Sequence, residues 1–439
     1  FPNGRTGLHE LHLAETSGKL IGIMGGSGSG KSTLLNVLNG NLKPTKGKVT
    51  INGVDVHVEA DRIRGVIGYV SQDDLLIEEL TVFQNLYFNA RLCFGQESRE
   101  QVEQRVQQML RSLGLHEVRD LAVGSALDKT ISGGQRKRLN IALELIREPS
   151  VLFVDEPTSG LSSRDSENIM DLLKELAHKG RIIFTVIHQP SSDIFKLFDR
   201  LLLMDQEGNP VYYGDPVDAV VYFKKVTGLA DSDSGQCAAC GNVNPEQIFN
   251  ILEARIVDEY GNETDQRRIG PDAWNEVFRA QMEVRVAKVP DGAEALHSTF
   301  QPPGRLRQMA VFFKRDVLAK LANRQYVLIN LLEAPVLAFF MAFFLRYRNG
   351  APGDAYVFRY NDNLPQYLFI AVIVALFLGL SVAAEEIIRD RKIMQREKFL
   401  SLCTSSYLLS KTGLLFLISA FQSLLFVLVG NAVLGIHGL

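Results

Sequence analysis

Hydrophobic residues in the first 230 positions fall into short runs separated by longer polar or amphipathic stretches. Three of these runs are residues 20–24, 151–154 and 182–187. Strand-sized apolar runs that alternate with helix-forming segments predict a mostly parallel sheet covered by helices. We therefore predict an α/β domain over residues 1–230.

The pattern weakens over residues 231–303, where the sequences DSDSG, GNVNP, DEYGNETD and QPPG are rich in turn-forming residues. Such clusters are typical of connecting segments. We predict a connector with one or two short helices, one of them around Trp274.

Beyond residue 304 the chain becomes strongly apolar. The stretches at about 326–345, 366–384 and 412–436 are each long enough to cross about 30 Å of hydrocarbon. Three buried helices of a soluble core are the alternative, but such helices rarely lack a polar face over this length. We predict that residues 304–439 form an all-α transmembrane domain, truncated because the chain ends beside the third span.

Basic residues flank the three spans unevenly. Six Lys and Arg residues lie between 305 and 324, three between 346 and 359, and six between 389 and 411, the last being Lys411. The positive-inside rule then places residues 1–230 and the loop 385–411 on the cytoplasmic side. We expect a multi-pass protein of the plasma or inner membrane.

Composition excludes several classes of protein. The chain has 439 residues, a formal net charge of −3 and 46% hydrophobic residues, which is unlike a disordered chain or a dedicated nucleic-acid binder. Four cysteines are too few for a disulfide scaffold. Cys237 and Cys240 resemble half of a zinc ribbon, but loop thiols are the favoured interpretation because neither Cys93 nor Cys403 offers a second pair. Zinc binding between subunits and redox chemistry are the alternatives.

A glycine-rich segment follows the apolar run at 20–24 and precedes the helix-forming sequence TLLNVLNG. This is the setting of a phosphate-binding loop, in which backbone N–H groups turn toward phosphate oxygens at a helix N-terminus. Lys31 can reach the β- and γ-phosphates, and the Ser32 hydroxyl can coordinate Mg²⁺. The candidate nucleotide-binding residues are Gly25, Gly26, Ser27, Gly28, Ser29, Gly30, Lys31, Ser32 and Thr33.

Asp155 and Glu156 end the apolar run at 151–154. Sites in parallel sheets open at the carboxyl ends of strands, so both acids are expected beside the phosphate-binding loop. We expect Asp155 to hold Mg²⁺ through water and Glu156 to activate the attacking water as general base. A solvated pair of acids at a strand end is the alternative.

A second glycine turn comprises Ser132, Gly133, Gly134 and Gln135 and precedes the basic helix-forming sequence RKRLNIALELI. A Ser-Gly-Gly turn at a helix N-terminus can also bind an anion. Because one nucleotide already has its phosphate-binding loop, we expect this turn to contact the nucleotide of another copy.

These motifs, followed by a strand that ends at His188, occur in the order of the ATP-binding cassette ATPases. Longer stretches resemble the G subfamily of those transporters, which includes the White pigment and sterol half-transporters. They are QDDLLIEELTVFQNLYFNARL from Gln72, IHQPSSDIFKLFD from Ile187, NPEQIFNIL from Asn244 and RDRKIMQREKF after the second span. The resemblance implies a P-loop NTPase domain with a helical signature subdomain, followed by an ABC-2 type membrane domain.

The resemblance also implies roles for individual residues. Phe1 matches an aromatic that stacks on adenine, although packing as a strand-end hydrophobe is an equal alternative. Gln72 matches the residue that contacts Mg²⁺ or the attacking water, and His188 the residue that contacts the γ-phosphate. The implied catalytic residues are Lys31, Gln72, Glu156 and His188, and the Mg²⁺ ligands are Ser32, Gln72 and Asp155.

One position departs from the family pattern. Ser162 stands where the family normally has an aspartate that helps to couple the two ATP sites of a dimer. Because this carboxylate is missing, the resemblance does not imply that the two ATP sites hydrolyse ATP symmetrically and in tight coupling.

Taken together, the residues and the resemblance predict a half-transporter that hydrolyses ATP with Mg²⁺ and pairs with a second half-transporter, as a homodimer or heterodimer. The expected cargo is a lipid-like or amphipathic molecule, and export is the direction that the family suggests. Membrane lipid is an expected partner and nucleic acid is not. The alternative is a membrane-anchored ATPase that regulates or mechanically couples a partner complex without carrying solute.

Overall fold

The computed structural model describes residues 6–125, 130–229, 232–237, 240–260, 262–281, 298–346, 359, 361–384, 386–398, 400 and 402–436, without the side chains of 387, 389, 392, 395 and 398. These residues form two compact units. Unit 1 comprises residues 1–74, 108–116 and 131–300, and unit 2 comprises 75–107, 117–130 and 301–439.

Unit 1 is built on a six-stranded sheet in the order β4-β5-β6-β1-β7-β8. Its strands are β1 Leu20–Gly25, β4 Ile67–Val70, β5 Val151–Asp155, β6 Ile182–Val186, β7 Arg200–Asp205 and β8 Asn209–Gly214. All neighbouring strands are parallel except the β7–β8 hairpin. Every residue of β1 is buried, as expected for a central parallel strand with both faces covered. The predicted parallel α/β sheet is confirmed.

Helices of unit 1 cover this sheet. They are α1 Lys31–Leu38, α4 Gly133–Leu145, α5 Ser163–His178, α6 Ser192–Leu197, α7 Pro216–Val226, α8 Glu246–Leu252 and α9 Pro271–Gln281. Helix α3, Arg99–Ser112, belongs to both units. Ser132, Ser162 and Ser191 cap α4, α5 and α6 by accepting a hydrogen bond from a backbone N–H three residues later.

Two small hairpins complete unit 1. The first pairs β2 Thr50–Ile51 with β3 Val54–Asp55, and its turn residues Asn52 and Gly53 both have positive φ, as a tight hairpin requires. The second pairs β9 Arg255–Val257 with β10 Glu263–Arg267, between α8 and α9. The helix expected around Trp274 is present as α9. The second hairpin was not predicted, because its strands are largely polar and exposed.

Unit 2 contains α2 Val82–Cys93 and five helices from the second half of the chain. These are α10 Arg305–Ala322, α11 Arg324–Leu345, α12 Leu364–Ala384, α13 Glu386–Lys398 and α14 Thr404–Leu434. By length and composition α11, α12 and α14 can each cross a membrane. Ala334, Ala338 and Ala342 on α11 are fully buried. Such small side chains allow membrane helices to approach closely.

The span boundaries differ somewhat from those expected. Helix α14 begins at Thr404 rather than near 412, and the expected loop 385–411 contains the helix α13. Lys411, which the charge count treated as a loop cation, is 4% exposed within α14. It therefore adds no free positive charge to that loop.

Residues 75–107 lie in the predicted 1–230 domain but group with the membrane helices. On α2, Phe88 packs in one cluster with Ala319 of α10, and Leu92 packs in another with Phe312 and Tyr407. The sequence did not predict this grouping, because the apolar face of α2 looks the same whichever unit covers it.

Candidate nucleotide-binding site

The glycine-rich loop connects β1 to α1 and encloses the side chain of Lys31. The Lys31 ammonium donates hydrogen bonds to the carbonyl oxygens of Gly25 at 2.9 Å and Gly26 at 2.8 Å, and to Ser29 Oγ at 3.3 Å. Burial lowers the pKa of Lys31, and the charges of Glu156 and Asp155 oppose this shift. The structure thus brings the predicted lysine into the loop, while Ser32 is exposed on the first turn of α1.

Close packing and positive φ angles require glycine in this loop. A Cβ at Gly25 would lie 2.3 Å from the carbonyl oxygen of Met204, and one at Gly30, where φ is +83°, would lie 2.7 Å from that of Gly7. Gly28 also has positive φ, at +77°. A loop of this kind at a helix N-terminus fits a phosphate group. Ser27 and Thr33 lie in the same segment, whereas Phe1 lies outside the described residues.

Both predicted acids stand at the carboxyl end of β5. Asp155 is the last residue of the strand, and Tyr69 Oη donates a 3.4 Å hydrogen bond to its Oδ2. Burial and the neighbouring Glu156 charge raise the pKa of Asp155. Glu156 adopts a left-handed φ of +44°, an uncommon conformation that is typical of functional sites.

Gln72 and His188 converge on the carboxylate of Glu156 from two neighbouring strands. Gln72, two residues after β4, donates from Nε2 to Glu156 Oε2 at 2.7 Å. His188, two residues after β6, has its Nε2 3.0 Å from Glu156 Oε1. The strand order places β4, β5, β6 and β1 side by side, so their carboxyl ends form one edge. Four predicted residues, Lys31, Gln72, Glu156 and His188, therefore belong to the same edge of the sheet.

The second glycine turn is a capping box at the start of α4. Ser132 Oγ accepts from the Gln135 N–H at 3.2 Å, and Gln135 Oε1 accepts from the Ser132 N–H at 2.9 Å. A Cβ at Gly134 would lie 2.7 Å from Asp165 Oδ1, and one at Gly133 3.1 Å from Leu161 Cδ2. The glycines thus allow this turn to pack closely against the segment that begins α5.

Ser162, at the position where the family pattern has aspartate, caps α5. Its hydroxyl accepts from the Asp165 N–H at 3.2 Å and donates to Asp165 Oδ2 at 2.9 Å. Serine and aspartate are comparable N-cap residues, so the helix start is preserved. The substitution removes a carboxylate without removing the cap.

Three side chains of α4 also belong to this region, and the sequence did not identify them. Lys137 donates to the Gln72 carbonyl oxygen, and both Arg136 and Asn140 donate to Asp74. A basic, amphipathic helix is usually interpreted as a solvated surface helix. Only the positions of the helix and of residues 71–74 in the fold reveal these contacts.

Comparison with known proteins agrees with this geometry. The ABC transporter family model matches residues 8–159, and the ABC-2 type transporter model matches residues 307–438. The chain therefore carries both domain types of an ATP-binding cassette transporter. Its order, with the ATP-binding cassette before the membrane domain, is that of the G-family half-transporters, and the predicted fold class is confirmed.

Several proteins similar to this chain are named as ABC transporters, and most of these names place them in the G family. ABC-type transporter claG of Penicillium crustosum is 41% identical over 50% of the chain and 30% of its own length. ABC transporter G family member 26 of Arabidopsis thaliana is 41% identical over 49% of the chain and 31% of its own length. ATP-binding cassette sub-family G member 5 of Mus musculus is 29% identical over 77% of the chain and 52% of its own length. The chain thus spans about a third to a half of these relatives.

Proposed function

We propose that this chain hydrolyses ATP and, paired with a second half-transporter, couples that reaction to movement of a lipid-like or amphipathic molecule across a membrane. The observation that supports this most is the Glu156 carboxylate, hydrogen-bonded by Gln72 and 3.0 Å from His188 at the edge that also carries Lys31. Three helices in the same chain are long and apolar enough to cross a membrane, and they support the proposal that the reaction drives movement across one.

In the proposed reaction the phosphates of ATP bind the N–H groups of the loop 25–30, and the Lys31 ammonium balances charge on the β- and γ-phosphates. Glu156 accepts a proton from the water that attacks the γ-phosphate. Gln72 contacts one oxygen of this carboxylate and His188 lies beside the other, which fixes the orientation of the carboxylate for the proton transfer.

The oxygen donors near the loop suit Mg²⁺, which prefers carboxylate, hydroxyl and amide oxygens. Ser32, Gln72 and Asp155 are the proposed ligands. The raised pKa of Asp155 fits this assignment, because a buried carboxylate beside another acid is relieved by a cation. When bound, Mg²⁺ would neutralise phosphate charge.

A second half-transporter, identical or different, completes each proposed site. The turn Ser132-Gly133-Gly134 lies at the N-terminus of α4, apart from the chain's own phosphate-binding loop in sequence, and Gln135 supports it through the capping box. Each ATP would lie between the phosphate-binding loop of one copy and this turn of the other. Binding would close the two cassettes, and hydrolysis with product release would reopen them.

The proposed orientation places the cassette in the cytoplasm, since basic residues cluster before α11 and between α12 and α14. The exposed apolar side chains of the spans, such as Phe369 and Phe377 on α12, suit a lipid-like cargo and suit contact with the bilayer equally well. Export is proposed from the family resemblance.

The proposal is tested with the full-length chain in lipid vesicles. ATPase activity and ATP-dependent flux of fluorescent lipids are measured for the wild type, Glu156→Gln and the exposed control Glu167→Gln. We expect Glu156→Gln to abolish both activities and the control to retain both. Loss of ATPase activity with every lipid flux unchanged would favour the regulatory or coupling alternative.

A further inference from the structure

Three side chains on one face of α4, here called the α4 clamp, hold the segment that carries Gln72. Lys137 Nζ donates to the carbonyl oxygens of Gln72 at 3.0 Å and Ser71 at 3.4 Å. Arg136 Nε donates to Asp74 Oδ2 at 3.1 Å, and Asn140 Nδ2 donates to Asp74 Oδ1 at 2.6 Å. The clamp therefore contacts the main chain of Gln72 and the side chain two residues later.

Burial shows that these are not surface contacts. Arg136 is 7% exposed, Lys137 4% and Asn140 6%. A buried ammonium loses its hydration and is tolerated only where other groups replace it. Burial lowers the pKa of Lys137, and the charges of Asp74, Asp155 and Glu156 oppose this shift. Packing alone would be served better by an apolar side chain, so the charge needs another explanation.

We propose that the α4 clamp is a positioning device that fixes residues 71–74, so that the Gln72 amide stays on the Glu156 carboxylate. Lys137 donates to the main chain of Gln72, and the side-chain amide of Gln72 donates to Glu156, so Lys137 acts through the Gln72 segment. This inference rests on the proposed function, since it assigns how the general base is held.

The clamp has a second consequence for a dimer. Helix α4 begins at the Ser132 turn, which the proposed dimer places on the nucleotide of the other copy. One rigid helix thus joins that turn to Gln72 at the chain's own nucleotide. Helix α4 thus offers a connection between the two proposed ATP sites. Such a connection matters in this chain because Ser162 stands where the family has the aspartate that helps to couple those sites.

A double-mutant cycle tests this inference by measuring steady-state ATPase kinetics of the full chain in vesicles. Lys137→Met is made in the wild-type and in the Gln72→Ala backgrounds. We expect Lys137→Met to lower kcat about tenfold in the wild type, with KM for ATP changed by less than about twofold. In the Gln72→Ala background we expect a further loss below about twofold, because the residue acts through Gln72.

Equal loss in both backgrounds would show a merely structural role and overturn the inference. Lys137→Arg, which keeps a cationic donor, is expected to recover at least about half of the lost activity. The control is Lys174→Met. Lys174 lies on the neighbouring helix α5, with its Nζ 2.7 Å from Asp199, and its removal should change kcat by a similar small factor in both backgrounds. If Lys137→Met lowers the melting temperature too far, Asp74→Asn replaces it in the same cycle.

The proposed function can fail independently of this result. If the wild type shows no ATPase activity, or only activity that Glu156→Gln does not remove, the proposed function is contradicted. Clear wild-type activity together with additive losses would contradict only the positioning role of the clamp.

Discussion

His188 Nε2 lies 3.0 Å from Glu156 Oε1, while the other oxygen of the same carboxylate accepts from Gln72. A carboxylate held at both oxygens has one orientation, which is what a general base needs before water arrives. The left-handed conformation of Glu156 supports this arrangement at a conformational cost.

Removing this histidine is therefore expected to slow the chemical step. We predict that His188→Ala lowers kcat about 100-fold while KM for ATP changes less than about threefold. Steady-state ATPase assays on the full chain measure both values. The exposed His178, at the end of α5, provides the control His178→Ala. A large rise in KM with normal kcat would instead assign His188 to binding.

Asp155 illustrates a conflict between stability and function. Its pKa is raised from 3.8 by burial and by Glu156, so the ionised side chain destabilises the nucleotide-free protein. We predict that Asp155→Asn raises the melting temperature of the nucleotide-free protein by about 3 °C at neutral pH and abolishes ATPase activity. Differential scanning fluorimetry and ATPase assays measure these effects.

The pH dependence of this effect has a defined sign. Stability from a raised carboxyl pKa is fully present below 3.8 and is lost as pH rises through the raised value. The advantage of Asp155→Asn should therefore shrink as pH falls from about 7.5 toward the acid range. The exposed α5 residue Asp171 provides the control Asp171→Asn, for which no such trend is expected. A destabilised Asp155→Asn variant at neutral pH would contradict the prediction.

Lys411 is the shared cation of three buried carboxylates in unit 2. Its Nζ lies 2.9 Å from Asp316, 2.7 Å from Asp390 and 3.3 Å from Glu386. Removing one partner of a buried ion pair leaves uncompensated charge and costs about 3 kcal/mol or more. We predict that Lys411→Met sharply lowers the temperature at which detergent-solubilised protein loses its monodisperse size-exclusion peak.

The exposed Lys314 on α10 provides the matched variant Lys314→Met, which should change this temperature little. Equal behaviour of the two variants would mean that the buried network does not stabilise α10, α13 and α14. Partial recovery by Lys411→Arg would show that charge, rather than volume, is required.

A shared ATP site predicts complementation between two inactive variants. Lys31→Ala disables the phosphate-binding loop, and Ser132→Arg disables the second glycine turn. A heterodimer of the two chains keeps one intact site, so random equal mixing should restore about a quarter of the wild-type ATPase activity. Separately purified variants, assayed alone and after co-reconstitution, give the comparison. Absence of recovery at every mixing ratio would contradict a site shared between copies.

Local patterns were sufficient for much of this protein. The glycine-rich loop with Lys31, the acids after β5 and the three apolar spans each depend on residues close together in sequence. Their spacing reflects backbone geometry, since a phosphate-binding loop needs glycines before a helix and a span needs about 20 apolar residues. These features were predicted, and the family comparison confirmed the two domain types.

Long-range contacts were beyond such patterns. Gln422 of α14 donates to Asn330 Oδ1 of α11 at 3.2 Å, and no local signal pairs these two residues, which lie 92 positions apart. Lys411 was counted as a loop charge because hydropathy cannot distinguish a solvated lysine from one buried among carboxylates. The packing of α2 with the membrane helices depends in the same way on which apolar face meets which partner.

The sequence by itself therefore determined the two domain types, the phosphate-binding loop and the acids at the strand end, because each depends on neighbouring residues. Only the tertiary structure decided that Gln72 and His188 meet on Glu156 and that Lys137, Arg136 and Asn140 hold the Gln72 segment. The physical reason is that sheet order and helix packing bring these groups together across 62 to 84 residues, except for the shorter His188 contact. Local periodicity carries no information about contacts between residues so far apart in sequence.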